Sequence, residues 1–205
     1  MSATGPRTAL ALTSLCAILT LTACSAAEDD ATTGNEEQSA EDPGSVEEAP
    51  EDLVFTLPNS CLALLPEPAI GKFTSGTIGL LRGPGSGSTE SVYPEGPSPQ
   101  EERGGISCLF GNSDETQTYT LSVAPVTQAS RSEVIDGLLA QQLNPGQTVD
   151  GALTYWIEGD DAVVPAIYNA LYPDAWYEVL IFPGGRLAYE ESESLVAQMR
   201  AHTTG

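Results

Sequence analysis

The sequence predicts an α+β domain with a mostly antiparallel sheet of about five or six strands, two main helices and one disulfide. Several short segments alternate apolar with polar residues and are separated by turn residues, as expected for half-buried strands. Two longer segments have helical periodicity. Because these helices are segregated from the strands along the chain rather than alternating with each one, the pattern favours α+β over α/β.

The first element is an apolar run at residues 9–23 that follows Arg7. It is too short for a transmembrane helix and is typical of a secretory signal peptide. Its end, Leu21-Thr22-Ala23-Cys24, resembles the lipobox of bacterial lipoproteins, which implies cleavage before Cys24 and a diacylglyceryl group on its thiol. We therefore expect residues 1–23 to be removed and Cys24 to anchor the protein on the outer side of the cell membrane. The alternative is ordinary secretion with cleavage nearby and a free Cys24.

The second element, residues 24–52, contains eleven acidic residues and neither lysine nor arginine. It has too little apolar surface to offset the entropy of ordering, so we expect a disordered tether. It supplies about half of the formal net charge of -22. The rest of the chain is also acidic, and it lacks the basic stripes that nucleic-acid binding requires.

The third element, residues 53–205, is long enough for one domain with its own core. It keeps two cysteines, Cys61 and Cys108. In an exported chain they meet an oxidising environment, so we expect a disulfide between them. A reactive or metal-binding thiol pair is the alternative, but neither a histidine nor a third cysteine stands nearby.

Within this domain a short helical turn is predicted at 60–65 and a long irregular loop at 83–104. A capping box at Ser130-Arg131-Ser132-Glu133 predicts the start of a helix that ends at Asn144-Pro145-Gly146. A second helix is predicted at 189–202, with acidic residues in its first turn and Arg200 and His202 in its last. Strands are predicted at 77–82, 106–110, 118–126, 152–158, 162–171 and 176–182.

The segment Cys61-Leu62-Ala63-Leu64-Leu65-Pro66, with Cys108-Leu109-Phe110 opening a later hairpin, resembles actinobacterial cell-envelope lipoproteins of a family defined as a domain of unknown function. Their pattern is a Cys-x-Leu-Leu segment and a later Cys-x-Trp, and the order of elements across most of 59–202 is similar. Here Phe110 replaces the tryptophan and the 83–104 loop is long. The resemblance implies the disulfide and the envelope location, and it implies no activity.

Catalytic signals are sparse. The one histidine, His202, falls near the end of the last helix, which argues against a Ser-His-Asp arrangement. Glu158-Gly159-Asp160-Asp161 could bind Ca²⁺, although a turn between two strands favours these residue types by itself. Carboxylates are plentiful, so a hydrolase of envelope polymers that uses two of them is the alternative function. No cofactor is expected.

The last two strands predict a largely apolar sheet on both faces. If Leu171 pairs with Trp176, one face carries Ile167, Asn169, Leu171, Trp176, Glu178 and Leu180. The two helices can cover one face of the sheet, and the other needs a cover of its own. That cover is either the chain itself, through the 83–104 segment and the N-terminal turn, or a ligand or partner, because apolar side chains around a few polar groups are typical of binding sites.

We therefore expect a membrane-anchored binding or accessory module whose partner is a lipid, glycan or protein of the envelope. Its expected ligand-binding residues are the six on the face described above. The anchor residue is Cys24, and no nucleic-acid partner is expected.

Overall fold

Seven strands form one antiparallel sheet in the computed structural model, which describes residues 54–205. In chain order they are β1 (Gly79–Arg82), β2 (Ile106–Gly111), β3 (Thr118–Pro125), β4 (Asn144–Gln147), β5 (Leu153–Ile157), β6 (Ala166–Leu171) and β7 (Ala175–Phe182). Their order across the sheet is β1-β2-β3-β7-β6-β5-β4. The α+β class and the antiparallel sheet are confirmed, but there are seven strands rather than five or six.

Four helices accompany the sheet: α1 (Glu67–Thr74), α2 (Pro99–Glu102), α3 (Gln128–Ala140) and α4 (Arg186–Thr203), with a 3₁₀ turn at Cys61–Ala63. The two main helices, α3 and α4, are those that the sequence predicts. The predicted signal peptide, Cys24 and the tether lie outside the described residues. Among residues 54–205 no helix is both long and apolar enough to cross a bilayer.

The extra strand is β4, at the position where Asn144-Pro145-Gly146 predicts only the end of a helix. Pro145 has no N–H to donate, yet it is accommodated because β4 is an edge strand that pairs with β5 alone. The helix before it, α3, also begins earlier than predicted. Its capping box is formed by Thr127 and Ser130, since the Thr127 hydroxyl accepts the Ser130 N–H and the Ser130 hydroxyl accepts the Thr127 N–H.

The two main helices lie on opposite faces of the sheet, where the sequence suggested one shared face. Leu195, Val196 and Met199 of α4 pack in the same buried cluster as Tyr168 and Tyr177. The other face has a second cluster, in which α3 contributes Val134 and Leu138 against Leu171 and Trp176. Each face therefore has its own helix, and α1 shares the α4 face.

The predicted disulfide joins Cys61 to Cys108, with Cα atoms 5.6 Å apart. It connects the turn before α1 to the middle of β2. Gly83 lies against it with a φ of +112°, and a Cβ there would come within 2.7 Å of the Cys61 sulfur and 2.5 Å of the Ser107 carbonyl oxygen. The 83–104 segment can therefore leave the sheet at this point only through a glycine.

Candidate binding site

The six predicted sheet-face residues do lie on one face, in the predicted register. Leu171 pairs with Trp176, Asn169 with Glu178 and Ile167 with Leu180. Four of them are buried, however, and Trp176 is only 3% exposed. Its indole N–H donates to the Asn169 side-chain oxygen at 2.8 Å. The open binding face that the sequence allowed is thus closed around Leu171, Asn169, Trp176 and Glu178, while Ile167 and Leu180 are half-buried.

The chain itself supplies this cover, from two sources. Helix α3 covers Leu171 and Trp176. The 83–104 segment covers the centre of the face, where its Ser98 hydroxyl shares a hydrogen bond with Ser107 at 2.6 Å. Gln100 of the same segment is fully buried. Of the two parts of the chain expected to cover this face, residues 83–104 do so at its centre, whereas the N-terminal turn packs its Cys61, Leu64 and Leu65 in the cluster on the α4 face.

Glu178 is the most perturbed carboxyl in this buried centre. Burial raises its pKa to about 7, while the nearby side chains of Gln100, Asn169 and Tyr93 oppose that rise. The amide of Gln100 is close enough to act on this pKa, but neither of its polar atoms makes a hydrogen bond of normal geometry within residues 54–205. Because Glu178 is only 8% exposed and is covered by the 83–104 segment, its carboxyl is not accessible to a polymer substrate.

An accessible cavity of about 250 Å³ lies on the opposite face, between α1 and α4. Helix α1 packs on β1 at the sheet edge, whereas α4 packs on β6 and β7. A gap remains between the two helices, and Tyr119 of β3, which is only 7% exposed, lies at its base. The lining residues are Ala69, Lys72, Phe73, Ile78, Tyr119, Glu191, Ser194, Leu195 and Gln198.

The floor of this cavity is aromatic and rigidly held. Phe73 packs edge-on against Tyr119, with ring centroids 5.0 Å apart, and against Phe110 at 5.3 Å. Gln117 donates a hydrogen bond of 2.8 Å to the Tyr119 hydroxyl. Burial raises the pKa of Tyr119, and the nearby Glu191 charge raises it further, so this hydroxyl stays neutral at physiological pH.

Two charged side chains, Lys72 of α1 and Glu191 of α4, line the cavity at its exposed rim. Partial burial raises the pKa of Glu191, and the Lys72 ammonium lowers it by a smaller amount. The two groups thus sense each other, yet they form no ion pair. Within the described part of the chain, Lys72 is the one cationic side chain of a lysine or arginine that has neither a carboxylate nor a carbonyl partner.

A second cavity, of about 430 Å³, lies beside the C-terminal end of α4 and is lined by Asp150, Tyr172 and Arg200 among others. Its cation is already engaged, because Arg200 donates to Asp174 at 2.8 Å and stacks 4.3 Å from the centre of the Tyr172 ring. The Arg200 guanidinium therefore acts in the fold, where it ties α4 to the turn between β6 and β7. Of the two cavities, the one between α1 and α4 presents charged groups without partners.

In the Glu158–Asp161 segment, which the sequence suggested as a Ca²⁺ site, the Asp160 carboxylate accepts hydrogen bonds from the backbone. Asp160 accepts the N–H groups of Ala162, Val163 and Val164, and these bonds lower its pKa. The sequence interpretation did not identify the Lys72 and Glu191 pair. Only one signal was available for it, namely that Lys72 is the single lysine of the chain.

Comparisons with protein-family models, with curated proteins and with solved structures give no match to this chain.

Proposed function

We propose that this protein is a lipid-anchored binding module on the outer face of a bacterial cell membrane, and that its ligand enters the cavity between α1 and α4. The observation that carries the proposal is the mixed lining of this cavity. Five side chains give it apolar or aromatic surface (Ala69, Phe73, Ile78, Tyr119 and Leu195), and four polar ones complete it (Lys72, Glu191, Ser194 and Gln198), so a small ligand can bury an apolar group there and be oriented by polar contacts. In this proposal Cys24 provides the anchor, and residues 24–52 hold the domain away from the bilayer.

The unfilled gap between α1 and α4 also supports binding. Leaving apolar surface in contact with water forgoes about 25 cal/mol for each Å² that could be buried. On the opposite face the chain avoids this cost by laying α3 and residues 83–104 over the sheet. Between α1 and α4 no segment of residues 54–205 fills the gap. A ligand with an apolar body would gain this burial without displacing any part of the fold.

The experiment uses the full chain, exported, lipidated and reconstituted in lipid nanodiscs. Isothermal titration calorimetry would measure binding of four small probes, namely hexanol, hexylamine, hexanoate and L-leucine. We expect at least one to bind with a stoichiometry near one. Ser194→Trp, which places an indole at the rim of the cavity, should abolish that binding.

The control is Leu187→Trp, because Leu187 is 82% exposed on the same helix and does not line the cavity. This variant should bind as the unsubstituted protein does. Failure of all four probes to bind, or equal binding by the Ser194→Trp and unsubstituted proteins, would overturn the proposal.

A further inference from the structure

We infer that the ligand of this cavity is a free α-amino acid with an apolar side chain; this inference rests on the proposed function and identifies the ligand class. It follows from three properties of the cavity taken together. These are the charges at its rim, the chemistry of its floor and its volume.

The rim carries one positive and one negative group, on opposing helices. A simple anion would pair with Lys72 but would meet repulsion from Glu191, and a simple cation would meet the reverse. A zwitterion places its carboxylate at Lys72 and its ammonium at Glu191, so each attraction acts over a shorter distance than the repulsion between like charges and outweighs it. The absence of an ion pair between the two side chains leaves each free to bind the ligand without first breaking a contact.

The position of the charges relative to the floor selects the shape of the zwitterion. Both charged groups are exposed at the rim, whereas Phe73 and Leu195 are buried. A ligand that fits must therefore carry both charges at one end and an apolar group at the other. An α-amino acid has this form, since its ammonium and carboxylate share one carbon and its side chain projects away from them.

The volume limits the size of the apolar group. Cavities that hold drug-sized ligands have volumes of about 300 to 1,000 Å³. This cavity, at about 250 Å³, falls below that range and suits a single side chain such as that of leucine or phenylalanine. Phe73 and Tyr119 offer such a side chain aromatic contacts, and Ile78 and Leu195 offer aliphatic ones.

The test compares L-leucine with three analogues, each lacking one feature, by calorimetry on the full chain in nanodiscs. 3-Methylbutylamine lacks the carboxylate, 4-methylpentanoate lacks the ammonium, and glycine lacks the apolar side chain. L-leucine should bind more tightly than the amine and 4-methylpentanoate by about two- to fivefold, the effect of losing one partly exposed ion pair, and more tightly than glycine by about tenfold, the effect of losing a buried apolar side chain.

Two variants make the test specific. Lys72→Met should remove the preference for leucine over the amine and keep the preference over 4-methylpentanoate. Glu191→Gln should do the opposite. Glu193→Gln is the control and should change neither preference, because Glu193 is exposed on α4 and does not line the cavity.

The possible failures can be told apart. If hexanol, hexylamine or hexanoate binds and Ser194→Trp blocks it, but leucine binds no more tightly than its analogues, the binding module stands and the amino-acid inference is wrong. If Lys72→Met and Glu191→Gln lose the same preference, the pairing of the ligand carboxylate with Lys72 and of its ammonium with Glu191 is wrong. If no probe binds at all, the inference fails together with the proposed function.

Discussion

The side-chain amide of Gln100, in the 83–104 segment, lies near the carboxyl of Glu178 on the sheet beneath it, and both residues are buried. This relationship connects an irregular segment to the centre of the sheet through a titratable group. Because the ordinary pKa of a glutamate is 4.5 and burial raises that of Glu178 to about 7, the folded protein binds this proton more tightly than the unfolded chain does. The contribution of the group to stability is therefore complete below pH 4.5 and is lost as the pH rises through 7.

We predict that Glu178→Gln reduces the pH dependence of stability between pH 4.5 and 8. At about 1.4 kcal/mol for each pKa unit, the free energy of unfolding of the unsubstituted protein should fall by roughly 3 kcal/mol over this range through this group. Denaturant unfolding of both proteins at several pH values measures the difference. Asp150, whose pKa is lowered chiefly by a hydrogen bond from Thr148, acts below this range. Parallel pH profiles for the two proteins would contradict the prediction.

Replacing Trp176 by alanine should lower the free energy of unfolding by about 3 to 5 kcal/mol, because the indole is buried against α3. Trp176→Phe keeps an aromatic ring but removes the donor to Asn169, so its loss should be smaller. Thermal and denaturant unfolding of the two variants measure both effects. An alanine variant that unfolds like the unsubstituted protein would show that the indole contributes little to the core.

The paired substitution Cys61→Ala with Cys108→Ala should cost about 4 kcal/mol on the chain-entropy model, because the disulfide closes a loop across a sequence separation of 47 residues. Unfolding in the absence of reductant, compared with the unsubstituted protein, gives the value. In protein recovered from its native compartment, both thiols should resist alkylation until a reductant is added. Full alkylation of both before reduction would rule out the disulfide there.

Cys24→Ala should abolish lipid attachment and leave a larger precursor, because the acceptor thiol is gone. Intact mass and detergent phase partitioning of the exported protein measure both outcomes. Cys16→Ala is the matched control, since Cys16 lies within the proposed signal peptide and its loss should leave lipidation unchanged. A mature protein that begins at another residue and carries no acyl mass at Cys24 would refute the anchor.

The register of β6 and β7 could be predicted from sequence because it depends on local features. The turn residues Pro173 and Asp174 set where the two strands meet, and alternation assigns each side chain to a face. The short helix α2 could also have been found, since Ser98-Pro99-Gln100-Glu101 is a capping box within the predicted loop. Strand β4 was missed because its Asn-Pro-Gly sequence favours a turn unless a sheet edge is available.

The cavity could not be predicted, because it depends on where two helices settle on the sheet rather than on any one segment. Helix α1 has only eight residues and a proline at each of positions 66 and 68, which obscures its helical periodicity. Its distance from α4 follows from the order of the strands beneath them. The sequence also left open whether the chain itself or a ligand covers the opposite face of the sheet. The burial of Gln100, which answers this, is a tertiary contact that no single segment reveals.

Under the proposed membrane anchor, the disulfide would determine how the domain responds to tension on its N-terminal side. At the beginning of the described part of the chain, residues 54–56 are held by hydrogen bonds to residues 203–205, including one of 2.7 Å from the Thr56 N–H to the Thr203 carbonyl. A pull on the preceding chain can peel these residues away only as far as Cys61. There the load passes through the sulfur–sulfur bond into β2, an interior strand of the sheet. Helix α1 begins beyond that junction, so under the proposed anchor the cavity that it helps to form would be shielded from this tension.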